Sequence, residues 1–415
     1  MTSKRNYYLY ILGLFISLFG TNIYTFAIGL YVLNLTGSAV AFSTTLIVGI
    51  LPTIFIGPLT GVFVDHHNKK NIVVLADFFN GLLFVILFII SRQDLLILPV
   101  IYTTTFVVSL ITTLFNTAME SSKILLFKKG TLSKINASSQ VIRSSAIILG
   151  PLLGGLAFAF VDISLFILIN AVSFLSSSII EYFLIYPTYK RISNLDSTRV
   201  LTEFHKGLKY IKLQKELHPF ILFFIILNFI CGFSINVPLP YIINTTLQRP
   251  AALLGSIEAF FPIGMLVGGL CITKLLRKLS IRKIFMRSLI LFILLLVGCF
   301  IPSLMMPNTL SNVFLLLYYG LIHFLFGIGI SFVDIPIMTL LQERVVAEYF
   351  GRVLSLVMAM VKTIYPIGLA LSGLLTNKIS PFLLPVMGAF IMFIFSIYFS
   401  SSLRQNTSLK LGIDQ

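Results

Sequence analysis

Only 11% of the residues in this chain are charged, so the ionisable groups set inside long apolar runs are the natural candidates for chemistry. Glu258, His323 and Lys362 each lie well within such a run. A charge is costly in hydrocarbon and is kept there where it pairs, binds or carries a proton. A carboxyl group and an imidazole can both take up and release protons, which nominates Glu258 first and His323 second for proton coupling. Asp334, nearer the end of its run, is a third candidate and a possible partner for Lys362, which is expected to pair with an acid. Asn22, Arg143, Asn228, Asn236 and Lys362 are polar points that a bound small molecule or a neighbouring helix could use.

A second constellation lies in LPTIFIGPLTGVFVDHHNKK, Leu51 to Lys70, where an apolar run stops in an acid, two histidines and two bases. Gly61 stands one turn before Asp65, and Lys69 and Lys70 follow. An acid at the carboxyl end of a helix meets the negative end of the helix dipole, so Asp65 needs a base or the amino end of another helix beside it. Asp77, Glu181 and Asp334 are read as lying near span ends, where water or loop bases reach them, and Asp77 as a support for the loop. Other chemistry has little to stand on. The chain holds no nucleotide-binding glycine loop, no His-Glu-x-x-His and no nucleophile elbow. Adjacent His66 and His67, flanked by lysines, make a poor metal site, and Cys231, Cys271 and Cys299 sit in apolar runs as packing residues. Neither a metal nor a cofactor is expected.

The elements that must position these groups are membrane helices. The chain is 57% hydrophobic over 415 residues, with a mean hydropathy of +1.01. Runs of about 20 apolar residues, the length that crosses a bilayer, occur twelve times. Their limits are near 7–32, 40–64, 71–91, 95–116, 140–160, 164–186, 219–243, 252–273, 284–305, 313–337, 353–375 and 382–402. With both termini inside, only Arg92, Arg249 and Lys378 fall in outward loops and Lys362 within a span. That leaves 26 of the 30 bases at the inner face. Basic loops stay in the cytoplasm, so the net charge of +16 is a topology signal and not a nucleic-acid surface. Pro187 to His218 divides six spans from six and has a basic amphipathic helical pattern. The expected organisation is therefore a six-helix half over 1–187, a cytoplasmic linker over 188–218, a second half over 219–402 and a tail over 403–415.

The halves echo each other. Asn136 precedes Pro151, and Gly351 precedes Pro366, by 15 residues each, and GLCITKLLRK after the eighth span occupies the place of GVFVDHHNKK after the second. Internally repeated halves are how alternating-access carriers place a site at mid-membrane.

These features together resemble the major facilitator superfamily, and within it the macrolide-efflux and enterobactin-exporter group. The resemblance rests on Leu35-Thr36-Gly37-Ser38, the loop from Gly57 to Lys70, Gly150-Pro151-Leu152-Leu153-Gly154-Gly155 and Gln342-Glu343 with Gly351-Arg352-Val353. The loop departs from the family's Asp-Arg-x-Gly-Arg by reading Asp65-His66-His67-Asn68-Lys69, and Ala146 replaces a common glycine. The likeness implies an all-α fold of twelve helices in two pseudo-symmetric halves. It also implies a gating set in which Asp65, with Gly61, Lys69 and Lys70, latches onto Arg352, and an exporter motif at Gly150, Pro151, Gly154 and Gly155. The implied activity is proton-driven export, as an antiporter in the cell membrane, of amphiphilic molecules such as macrolides. A siderophore, another secreted metabolite or a lipid is the alternative cargo. Protons, the cargo and membrane lipids would be its partners, and the chain would act as a monomer.

Overall fold

A polypeptide in hydrocarbon has no water to satisfy its amides, so apolar runs of this length close their hydrogen bonds internally as helices. A computed structural model describes residues 2–186, 214, 216–304 and 310–405. Among them the chain is helical throughout, without strands. The spans are Thr2–Thr36, the pair Ala39–Phe55 and Gly57–His66, Lys69–Ser91, Leu98–Leu126, Lys129–Phe160 and Ile163–Tyr182 in the first half. The second half has His218–Thr246, Ala251–Leu276, Ile281–Ser303, Asn312–Arg344, Ala347–Thr376 and Leu383–Gln405. Among the described residues eleven helices are long and apolar enough to cross a membrane, or twelve with the bent pair counted as one span. Most of the expected linker lies outside the described residues, as does the tail beyond Gln405.

Two spans are less regular than their sequences suggest. The second bends by 57° between Phe55 and Leu59. Pro58 has no N–H to give to the turn before it, so the hydrogen-bond ladder breaks there. The seventh changes from an α-helix at Cys231 into a wider turn over Cys231–Ile235, and again over Ile242–Thr246. Pro238 and Pro240 lie between these turns, so the missing donors are absorbed by re-registered hydrogen bonds.

Each half packs in the same internal pattern. In the first unit the third span lies along the sixth and the first along the fifth; in the second the ninth lies along the twelfth and the seventh along the eleventh. Glycines set the closeness of these crossings. A Cβ on Gly81 would lie 2.7 Å from the Leu175 side chain, one on Gly150 2.8 Å from Asn22 Cβ, and one on Gly232 2.7 Å from the Tyr365 carbonyl. The first unit also takes in Pro250–Ser256, where Gly155 faces Gly255, and the second takes in Ser38–Ser43, where Gly373 faces Ser43. The outer faces stay apolar: the third span turns Val73, Ala76, Asp77, Asn80, Gly81 and Phe84 inward and exposes Phe78, Phe79, Leu82 and Ile86.

The eighth and tenth spans meet backbone to backbone, with Gly264 against the Phe324 backbone and Gly327 against that of Phe261. A Cβ on Gly268 would meet the Ile328 carbonyl and Ser331 Cβ at 2.9 Å, whereas one on Gly269 would meet only Ile335 Cδ1 at 3.8 Å. Gly268→Ala should therefore cost about 1–3 kcal/mol through forced separation of the helices. Gly269→Ala should be neutral or stabilising by up to about 1 kcal/mol. Thermal unfolding of the two variants in detergent checks the contrast.

Candidate functional site

The glycine-mediated crossing of the eighth and tenth spans brings together the two strongest titratable candidates. Glu258 lies two turns into the eighth span, and its Oε1 is 4.0 Å from His323 Nε2 on the tenth. The His323 side chain is 5% exposed and that of Glu258 21%. His323 Nδ1 donates to the Tyr319 carbonyl at 3.0 Å. Because a carbonyl can only accept, the Nδ1–H is fixed and a neutral ring turns its free Nε2 lone pair toward the carboxyl group. Nε2 has no hydrogen-bond partner among the described residues.

Around this pair lies a cavity of about 140 Å³ lined by Cys231, Asn236, Phe261, Cys299, Ile322 and Phe326 besides the two titratable residues. The widened turn of the seventh span supplies Cys231 and Ile235. Asn236, one residue further, donates to the Tyr365 hydroxyl of the eleventh span at 2.6 Å. This cavity has room for several waters but falls below the roughly 300–1,000 Å³ of sites that enclose drug-sized ligands.

A larger open cavity of about 930 Å³ lies in the first unit where the fourth and fifth spans approach their connecting loop. Asn116, Glu120, Lys123, Ile124, Leu132, Asn136 and Arg143 line it. Glu120 accepts from Lys123 at 2.6 Å and from Arg143 at 3.2 Å, and Arg143 also donates to Asn116 at 3.3 Å. The arrangement is amphiphilic: one acid between two bases, with aliphatic side chains beside it.

The sequence profile of the Major Facilitator Superfamily matches residues 10–365, most of the chain. The chain belongs to the major facilitator superfamily. It is 26% identical over 384 residues to Macrolide efflux protein A of Streptococcus pyogenes, covering 91% of this chain and 90% of that protein. It is 25% identical over 332 residues to the uncharacterised transporter YfiS of Bacillus subtilis, covering 79% and 76%. Among solved structures, a bacterial homologue of the iron transporter ferroportin in an inward-facing state superposes with a TM-score of 0.74 at 17% identity, over 96% of this chain and 99% of the other. The nucleoside transporter NupG gives 0.71 at 13%, over 97% and 99%. These structures share the fold. The protein is thus a multi-pass membrane transporter and not an enzyme.

The superfamily loop is built locally. Asp65 pairs with Lys69 at 2.9 Å, and Lys69, 9% exposed, also donates to the Val64 carbonyl. The Lys70 amine sits 5.0 Å over the Tyr182 ring, joining the third span to the end of the sixth. Asn68 caps the third span by accepting from the Lys70 amide, and His67 stacks on Phe63. Among the described residues nothing lies within 4 Å of a Cβ on Gly61. The Arg352 side chain, the expected latch partner, lies outside the described residues. In the exporter motif, Gly150 and Gly154 seat the fifth span on Asn22, Ile23 and Phe26, and the helix runs unbroken through Pro151.

Five sequence expectations are corrected. Asp77 is no part of the loop: it is 1% exposed, about 12 Å along the helix from Lys69, and accepts from Ser17 of the first span. Glu181 is 0% exposed, with no loop base beside it among the described residues. Asp334 and Lys362 form no ion pair among the described residues, because the tenth and eleventh spans barely touch and Lys362 is exposed. Asp334 also stands about 16 Å along the tenth span from His323, outside the Glu258 cavity. Asn22 and Asn228 donate to carbonyls one turn back on their own helices, Leu18 and Phe224, which leaves Asn236 as the asparagine in the cavity. Cys271, expected in packing, is exposed.

Sequence reasoning missed Glu120. Its spacing from Lys123, three residues on, was the available signal, since such pairs share a helix face. Lys123 is 6% exposed, so removing its partner strands a buried cation, whereas Glu120 itself is half exposed. Glu120→Gln should cost about 1–3 kcal/mol, discounted from a fully buried pair for that exposure. Lys123→Met should restore most of the loss in the double variant. A thermal double-mutant cycle measures it.

Proposed function

We propose that this transporter is a proton-coupled exporter of amphiphilic small molecules, macrolides among them, working as a monomer in the cell membrane with both termini cytoplasmic. The observation that carries the reading is the Glu258–His323 pair in its small cavity. A site of about 140 Å³ is too small for an amphiphile yet suited to a proton and its waters. The likeness to Macrolide efflux protein A over nine-tenths of both chains supports the direction and the cargo. The distribution of bases supports the orientation.

On this reading the amphiphile enters from the cytoplasm through the 930 Å³ cavity of the fourth and fifth spans. Ile124 and Leu132 meet its apolar body, and Glu120, held by Lys123 and Arg143, meets a cationic group. A proton arriving from outside binds at Glu258, with His323 Nε2 as the second acceptor, and leaves when that site faces the cytoplasm. The proton gradient supplies the work, and no other cofactor takes part.

Efflux of a macrolide and dye panel from energised vesicles should collapse at least tenfold in Glu258→Gln at unchanged membrane abundance, while gradient-free exchange of the same compounds persists. Unaltered proton-driven efflux in that variant would remove the assignment.

A further inference from the structure

Asp77 and Glu181 have no role in the site described above, although they are among the most completely buried ionisable residues of the chain. They lie on the third and sixth spans of the first unit, 1% and 0% exposed, with no base in contact among the described residues. Ser17 of the first span donates its hydroxyl to Asp77 Oδ2. The Ser177 hydroxyl stands 2.9 Å from Ser17 Oγ, 3.2 Å from the Gly13 carbonyl and 3.4 Å from Glu181 Oε1. A serine has one proton to give. That of Ser17 is committed to Asp77, so three acceptors compete for that of Ser177.

Further acceptors go without any donor. Asp77 Oδ1 and Glu181 Oε2 are buried without a partner among the described residues, as is Asn80 Oδ1 one turn along the third span. Buried polar atoms in folded proteins are nearly always satisfied, so a network this short of donors points to hydrogen as what is missing. The surroundings leave little room for anything larger. A Cβ on Gly13 would lie 2.9 Å from Glu181 Cγ and Oε1, so the carboxyl group already rests on the backbone of the first span. Nearby ionisable groups on the packed elements are committed elsewhere, apart from the Tyr24 hydroxyl, which has no partner among the described residues and stands about 10 Å along the first span from Ser17. Tyr186 donates to Ser122, Tyr10 to the Met119 carbonyl, Lys123 to Glu120 and Lys69 to Asp65, and Lys70 covers the Tyr182 ring.

We propose that Asp77 and Glu181 form a second proton-binding site, a carboxyl pair that shares one proton through the hydroxyls of Ser17 and Ser177 and is independent of Glu258 and His323. Binding one proton turns two carboxylates into a carboxylic acid and a carboxylate. The new O–H donates into the network, and one of two like charges is removed from an apolar interior.

Infrared difference spectroscopy on the purified full-length protein in lipid, without cargo or gradient, tests this directly. Glu258→Gln is placed in both members of the comparison, so that no signal comes from that residue and the outcome is separate from the transport proposal. The spectrum minus that of a protein also carrying Asp77→Asn and Glu181→Gln should contain the C=O stretch of a protonated carboxyl group at neutral pH, moving down in D₂O. Ser177→Ala should displace that band in frequency. Absence of the band, or a band indifferent to Ser177→Ala, would overturn the shared site; if the triple variant fails to fold, Glu181→Gln alone replaces it in the subtraction with the same outcomes.

Discussion

A charge cannot stand bare among apolar side chains, and the interior of this transporter is arranged around that constraint. Several kcal/mol of desolvation attend each buried ion, more than any single helix contact returns, so every interior ionisable group needs compensation from a neighbouring span or from its own turn. The solutions differ. Lys123 and Lys69 are closed by acids three and four residues away, which requires only a helix. Glu258 and His323 belong to different spans and meet at 4.0 Å, which requires a particular crossing. Asp77 and Glu181 have hydroxyls in place of bases.

That crossing depends on residues with no chemistry of their own. Helices in lipid gain nothing from hiding one apolar surface against another, since the lipid is equally apolar; close packing and hydrogen bonds must hold them. Gly264, Gly268 and Gly327 let the backbones of the eighth and tenth spans touch, and Ser331 donates to the Met265 carbonyl across the join. The imidazole is then aimed by the Tyr319 carbonyl on its own helix. Packing sets how near the two helices come, and a backbone hydrogen bond sets the orientation of the imidazole.

The fold was readable because its signals are long. Twenty-residue apolar runs and a lopsided distribution of bases survive any uncertainty about single residues, and the 15-residue echo from Asn136 to Pro151 and from Gly351 to Pro366 marked corresponding spans. The site was readable only in part. Glu258 and His323 stood out as ions in hydrocarbon, yet their meeting depends on glycines 63 residues apart, Gly264 and Gly327, whose pairing no local pattern reveals. Asp77 was misread from its closeness in sequence to the loop. Its true face is given by Asp77, Asn80, Gly81 and Phe84, spaced as one helical stripe with polar and small residues inward.

The sizes of the two cavities constrain any coupling between cargo and proton. If both competed for one pocket, exclusion by volume would be enough to keep them apart. The cavity of about 140 Å³ around Glu258 admits no amphiphile, whereas one of about 930 Å³, lined by the fourth and fifth spans of the other unit, has the volume to do so. Coupling between separate sites is a free energy carried by elements with more than one arrangement. The seventh span is suited to that part in the second unit. Its helix is already re-registered at Cys231–Ile235, beside the carboxyl group, and Asn236 carries that irregular stretch to Tyr365 of the eleventh span. On the proposed reading, the cavity that holds Glu258 is walled in part by this irregular backbone, where the hydrogen-bond ladder costs less to rearrange than in a regular α-helix.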